Sequence, residues 1–135
     1  MQKLLVAAAL IRSNNKILCL QRPPHKLRYI SKKFEFPGGK IEEGETMEEA
    51  LHRELLEELG IQIRIKSFFM TVEHKYPDFQ LIMHSFICEV KAGEIVLNEH
   101  IDYKWLKVED LPKLDWAAAD LPIVNALMNY EGRNL

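Results

Sequence analysis

The sequence predicts a mixed α/β domain, and three observations carry that expectation. Apolar runs of strand length, Leu4 to Ile11, Ile17 to Gln21, Ile61 to Val72 and Leu81 to Val90, are separated by turn signals. One mid-chain segment instead repeats its leucines at helical spacing, as Leu51, Leu55 and Leu59. A second helical pattern near the end places Ile123, Val124, Leu127 and Met128 on one side. The 135 residues suit a single domain over 1–135, long enough to bury a real core.

Leu4 to Ile11 is continuously apolar rather than alternating, which predicts a strand covered on both faces. The run superficially resembles a signal peptide, but it is short and Arg12 and a turn follow it at once, so it reads as a strand. Ser13-Asn14-Asn15-Lys16 turns the chain back into Ile17 to Gln21, so the two strands pair as a hairpin. Arg22 to Lys33 is a polar connection containing Pro23, Pro24, His25 and Tyr29, with the mixed basic and aromatic character of a binding loop. Arg22, at a strand end, is the first choice for a phosphate contact, and His25 is a second residue within reach of a substrate. Phe34-Glu35-Phe36-Pro37 leads into Gly38-Gly39, where the main chain is open to close approach.

Ile61 to Val72 and Leu81 to Val90 form a second hairpin across Tyr76-Pro77-Asp78. Lys91-Ala92-Gly93 breaks the pattern, Ile95-Val96-Leu97 is short, and Tyr103 to Val108 is strand-like. Val108 to Pro112 reads as a short helical turn, and Trp116 as a core residue. Asp120 stands where it could cap the final helix, with Pro122 tolerated in the first turn.

Composition narrows the function classes. A net charge of −2 argues against a general binder of polymeric nucleic acid, which would show a strongly basic face. Charge is nonetheless segregated: Arg22, Lys26, Arg28, Lys32 and Lys33 precede an acidic helix. That layout suits a polyphosphate bridged to a metal. Cys19 and Cys88 lie inside apolar runs without metal-ligand spacing, as buried thiols in a reducing cytoplasm would. No segment approaches the length of a membrane span, so a cytoplasmic monomer or homodimer is expected.

The mid-chain helix is the informative element. Thr46 with Glu49 forms a capping-box signature, and Gly60 sits where a left-handed cap is expected. Glu54, Glu57 and Glu58 fall together beside the leucine stripe. Like charges at these spacings repel by roughly 0.2–0.5 kcal/mol per pair. The helix dipole disfavours anions in the last turn by roughly 0.3–1 kcal/mol each. Either the three carboxylates form a solvated acidic face, or a divalent cation such as Mg²⁺ or Mn²⁺ neutralises them.

The surrounding pattern favours the cation. Gly39, Glu45, Arg53, Glu54, Leu55, Glu57, Glu58, Gly60 and Ile61 match every fixed position of the Nudix box. That box is a Gly, five residues, a Glu, seven residues, then Arg-Glu-apolar-any-Glu-Glu-any-Gly-apolar. Most positions demand one residue type, so a chance match is on the order of 10⁻⁸ per window. The chain resembles the Nudix hydrolases, in particular their MutT-like and CTP-pyrophosphohydrolase-like members.

The resemblance implies the Nudix fold, a mixed β-sheet between helices in an α/β/α sandwich. It also implies Mg²⁺ or Mn²⁺ held by Glu57 and Glu58, with Glu54 as ligand or general base, and a backbone carbonyl to the metal from Gly38. Glu45 and Arg53 take orienting roles. MutT-like enzymes have a metal-shell glutamate about six residues before a Trp, and Glu99 stands six before Trp105. Glu99 is therefore a ligand or a rival base, with His100 a substitute. Asp120 matches a position that reads the nucleobase, a role compatible with capping. The implied reaction is hydrolysis of a nucleoside triphosphate to monophosphate and pyrophosphate. The implied substrate is an oxidised nucleotide such as 8-oxo-dGTP or, because Ala-Asp-Leu-Pro resembles those enzymes equally, CTP or 5-methyl-dCTP. A non-catalytic nucleotide-sensing module is the alternative.

Overall fold

A strand that is apolar throughout needs cover on both sides, and the fold supplies it. The computed structural model describes residues 1–130. Along the chain come β1 (Gln2–Ser13), β2 (Lys16–Gln21), β3 (Phe34–Glu35), β4 (Gly38–Lys40), α1 (Met47–Leu59), β5 (Gln62–Lys75), β6 (Phe79–Ala92) and β7 (Asp102–Leu106). Two 3₁₀ turns, Val108–Lys113 and Ala118–Asp120, then lead into α2 (Leu121–Asn129). The expected domain limit at Leu135 lies outside the described residues.

The strands form one mixed sheet in the order β3-β2-β1-β6-β5, with β4 on β1 and β7 on β2. β1 runs parallel to β6 from Gln2↔Phe79 to Ile11↔Cys88. Alternate β1 side chains point to opposite faces. Ala7, Ala9 and Ile11 pack with Leu51, Leu55 and Leu59 of α1. Ala8 and Leu10 pack with Ile123, Val124 and Leu127 of α2. The result is the expected layered sandwich, with one core on each face of the sheet.

The first hairpin forms as expected but is short. Only Arg12↔Ile17 and Ser13↔Lys16 pair before β2 turns away to β7 and β1 takes β4. The second hairpin is long and carries register shifts at three places along β5, which accounts for its loose alternation. Ile95-Val96-Leu97 is irregular, for a reason given below. Trp116 is buried, stacks on Phe36 at 4.6 Å and donates its indole N–H to the Leu111 carbonyl at 2.7 Å.

Helix α1 has the anticipated ends. Thr46 and Glu49 exchange both capping-box bonds, and Gly60 adopts φ 69°. Fully burying a leucine contributes about 1.5–3 kcal/mol relative to exposure. Three such leucines outweigh glutamate repulsions of a few tenths each. Packing therefore fixes the helix and holds its acidic face in place.

Candidate active site

Arg53 organises the first turns of the acidic face. Its Nε–H donates to Glu45 Oε2 at 2.6 Å, and its Nη2 donates to Glu45 Oε1 and to the Lys40 carbonyl, both at 2.9 Å. Nη1 donates to Glu54 at 2.9 Å and, more distantly, to Glu57 at 3.5 Å. Glu45 also accepts from the Glu42 N–H, so its carboxyl is held well below the usual range, chiefly by Arg53. Glu45 thus ties the loop to the helix, and Glu54 becomes one arm of a fixed fork.

Gly39 explains how close the strand can come. A Cβ there would lie 2.3 Å from the Glu54 carboxyl carbon. At Gly38, with φ 151°, a Cβ would meet the Ala7 carbonyl oxygen at 2.0 Å. The two glycines therefore press β4 between β1 and the Glu54 carboxylate.

The far end of α1 positions the other carboxylates. A helix leaves its last four carbonyls without internal partners. The Leu56 carbonyl accepts from Gly60 N–H, Glu57 from Asn98 Nδ2, Glu58 from Asn98 N–H and Leu59 from Val96 N–H. This docking keeps Ile95 to Leu97 from extending as a strand and brings Glu99 and His100 beside Glu58.

Glu58 is buried, and burial together with Glu35, Glu54 and Glu99 pushes its carboxyl up to about 9. Its Oε1 has no hydrogen-bond partner. Buried His100 contacts Glu35 through Nε2 at 2.8 Å, while its Nδ1, also without a hydrogen-bond partner, faces Glu58 Oε2 at 3.8 Å. Glu35 in turn accepts both contacts from Arg22 Nη1 at 3.3 Å. Glu54 is raised as well, by burial against the opposing pull of Arg53.

These groups share one wall of a cavity of about 510 Å³. Glu54, Glu58, Glu99, Glu35 and Arg22 give it charged groups. Phe36, Tyr29, Tyr76, Phe79, Leu81 and Met83 give it apolar and aromatic ones. Asp120 also lines it, buried, accepting from the Phe36 N–H at 3.2 Å, and its carboxyl is pushed well up by burial.

Placement of the expected residues is uneven. Arg22, Gly38, Glu54, Glu58, Glu99 and Asp120 line the cavity. Glu57 is exposed on the same helical face and outside the lining. Arg53 stands behind Glu54 rather than in the cavity. His25 is exposed and outside the lining, where its Nδ1 accepts from the Leu27 N–H to order the loop. Asp120 makes no side-chain cap on α2, because its oxygen is engaged by Phe36. Of the five basic residues ahead of the helix, only Arg22 lines the cavity; Lys33 is paired with Asp115. Glu35, Lys40, Tyr29 and Tyr76 line it too. Glu35 had a sequence signal, a charge between two buried phenylalanines, whereas Tyr76 resembled an ordinary turn residue.

Among the described residues, no three acidic, histidine or cysteine side chains form a finished metal cage. A cluster of carboxylates that includes an unsatisfied buried oxygen nonetheless fits a hard divalent cation. A sandwich with such a cluster at the end of its boxed helix defines a metal-dependent hydrolase class. Residues 1–127 match the NUDIX domain family, and the chain belongs to it.

Individual relatives agree. The chain is 36% identical over 128 residues to the 8-oxo-dGTP diphosphatase of Escherichia coli (strain K12), covering 94% of this chain and 98% of that protein. It is 31% identical over 128 residues to the CTP pyrophosphohydrolase of the same strain, covering 95% and 93%. Among solved structures, the E. coli ORF135 protein superposes with TM-score 0.83 at 30% identity, over 98% of this chain and 93% of that one. NUDIX hydrolases generally need a divalent metal.

Proposed function

We propose that the chain is a metal-dependent nucleoside triphosphate pyrophosphohydrolase, a single domain over 1–135, that clears a modified nucleotide such as 8-oxo-dGTP. The observation that carries this reading is the buried Glu58 Oε1 without a hydrogen-bond partner, beside Glu54 and Glu99 in a cavity also lined by aromatic rings. The names of the relatives support the same activity. Buried, free Cys19 and Cys88 suit a reducing cytoplasm. No helix among the described residues is long and apolar enough to cross a membrane.

The side chains divide the work by position. Glu54, Glu58 and Glu99, with Glu57 from the exposed side of the turn and the Gly38 carbonyl, would hold Mg²⁺ or Mn²⁺. Bound there, the cation supplies positive charge that polarises phosphoryl oxygens and lowers the pKa of water. Arg53 fixes Glu54, which serves as ligand or general base with Glu99 as its rival. Arg22 meets phosphate charge at the mouth. Asp120, its carboxyl pushed well up by burial, would meet a base edge with the oxygen that Phe36 does not engage. An aspartate there also suits the CTP or 5-methyl-dCTP reading, the second one we carry.

The test is pyrophosphate release with Mg²⁺ or Mn²⁺ across canonical, oxidised and methylated nucleoside triphosphates, ranked by kcat/KM. Activity that Glu57→Gln lowers, with ¹⁸O from water appearing in pyrophosphate, is expected. No activity in wild type over the whole panel would favour a nucleotide-sensing module. Label in the monophosphate would overturn attack at the β-phosphorus.

A further inference from the structure

The connection between β2 and β3 is a knit unit rather than a slack loop. Its ends are joined by Arg22 N–H to the Lys33 carbonyl at 2.9 Å, and Lys32 N–H reaches the Pro23 carbonyl at 3.3 Å. Inside it, Ser31 N–H donates to the Leu27 carbonyl at 2.9 Å, and Ser31 Oγ accepts from the His25 N–H at 2.9 Å.

The tip grips through Tyr29. Its ring stacks on Tyr76 with centroids 5.1 Å apart and planes 17° from parallel. Its hydroxyl donates to the Asp78 carboxylate in the turn between β5 and β6. Tyr76 is itself fixed: it is buried, packs on Phe79 at 5.0 Å, and its hydroxyl accepts from the Ala119 N–H at 3.0 Å, next to Asp120. Tyr29, Tyr76 and Asp120 all line the cavity. A flat aromatic ring is a sequence-tolerant surface for a base, and a rigid one costs little ordering entropy on binding.

We propose that Tyr29, clasped by Asp78 against Tyr76, is a nucleobase-binding residue that gives the base its stacking wall. This rests on the pyrophosphohydrolase reading. The chemistry selected is a planar heteroaromatic base, whereas the triphosphate meets Arg22 and the cation-binding carboxylates. Removing the wall should therefore cost binding of the base and leave the phosphate chemistry intact.

The experiment compares the preferred nucleoside triphosphate with ribose 5-triphosphate, which carries the same phosphates and no base. Tyr29→Ala is expected to raise KM for the nucleotide by about tenfold, with kcat within about twofold and ribose 5-triphosphate turnover unchanged. Tyr29→Phe keeps the ring and loses only the clasp. It should raise KM by a smaller factor, and Asp78→Asn should add nothing to Tyr29→Phe in a double-mutant cycle. Equal losses for nucleotide and ribose 5-triphosphate, or strictly additive effects of the Tyr29→Phe and Asp78→Asn changes, would overturn the clasp while the hydrolase reading stands. A wild type that turns over no nucleoside triphosphate would overturn both.

Discussion

Two carboxylate groups on one face of α1, barely a turn apart, are built to opposite ends. Around Arg53 every charge is answered: Glu45 by two guanidinium contacts and a backbone N–H, Glu54 by Nη1. Around Glu58 the answer is incomplete, a hydrogen bond with the Glu99 side chain that itself favours the proton. Glu35, Glu54 and Glu99 all oppose its ionisation, and Oε1 has no hydrogen-bond partner. Leaving a buried polar atom unpaired costs roughly 1–3 kcal/mol, a cost that a cation bound beside Oε1 would relieve. Glu45 and Arg53 are scaffold, completed by folding, and they hold Glu54 at the cavity. Glu58 keeps an unpartnered oxygen after folding.

The sharpest way to break the comparison is to remove the unanswered charge. Glu58→Gln keeps the shape and deletes the anion that a cation needs. Losing several kcal/mol of charge stabilisation corresponds to a fall in kcat of about 10³-fold. Mn²⁺ titration followed by electron paramagnetic resonance should show weakened uptake in the same variant. Normal turnover would show that Glu58 belongs to the scaffold after all.

The scaffold side should respond less. Arg53→Lys retains one positive charge but cannot reach Glu45, Glu54 and the Lys40 carbonyl together. Changes to groups that orient metal ligands typically cost about 10–100-fold in affinity or activity. The fall should come with a weaker Mn²⁺ affinity and a preserved fold by circular dichroism. A loss equal to that of Glu58→Gln would place Arg53 among the groups that touch substrate.

The same contrast explains what could be read from the sequence. The leucine stripe, the capping box, the glycine cap and the doubly covered β1 are local patterns, and each was legible because packing obeys the period of the element. The box likewise exposed Glu54 and Glu58, since helical spacing alone puts them on one face. Tyr76 was not legible and Glu35 was marked only by its apolar neighbours, because their roles depend on Ala119 arriving from the far end of the chain and on β3 lying beside β2. His25 shows the opposite limit. Its residue type suited a substrate contact, and the structure uses its Nδ1 to order the loop and leaves it outside the cavity lining. The basic run suffered similarly, with Lys33 drawn away to Asp115.

The smallest expected effect is also the most direct test of the unanswered charge, because it needs no substrate. Burial and its acidic neighbours raise the Glu58 carboxyl from 4.5 to about 9, so in the absence of metal the folded protein keeps that proton through neutral pH. The unfolded chain releases it above the ordinary carboxylate range. The folded state then binds more protons than the unfolded one, and this contribution to stability is full below 4.5 and is lost as pH rises toward about 9. Glu58→Gln escapes the loss. In chelator, its melting temperature should match wild type near pH 4 and exceed it at pH 8 by about 2–8 °C. Added Mg²⁺ should reverse the order at pH 8 by stabilising wild type alone. A variant less stable than wild type at pH 8 in chelator would mean that the Glu58 charge already has its partner within the chain.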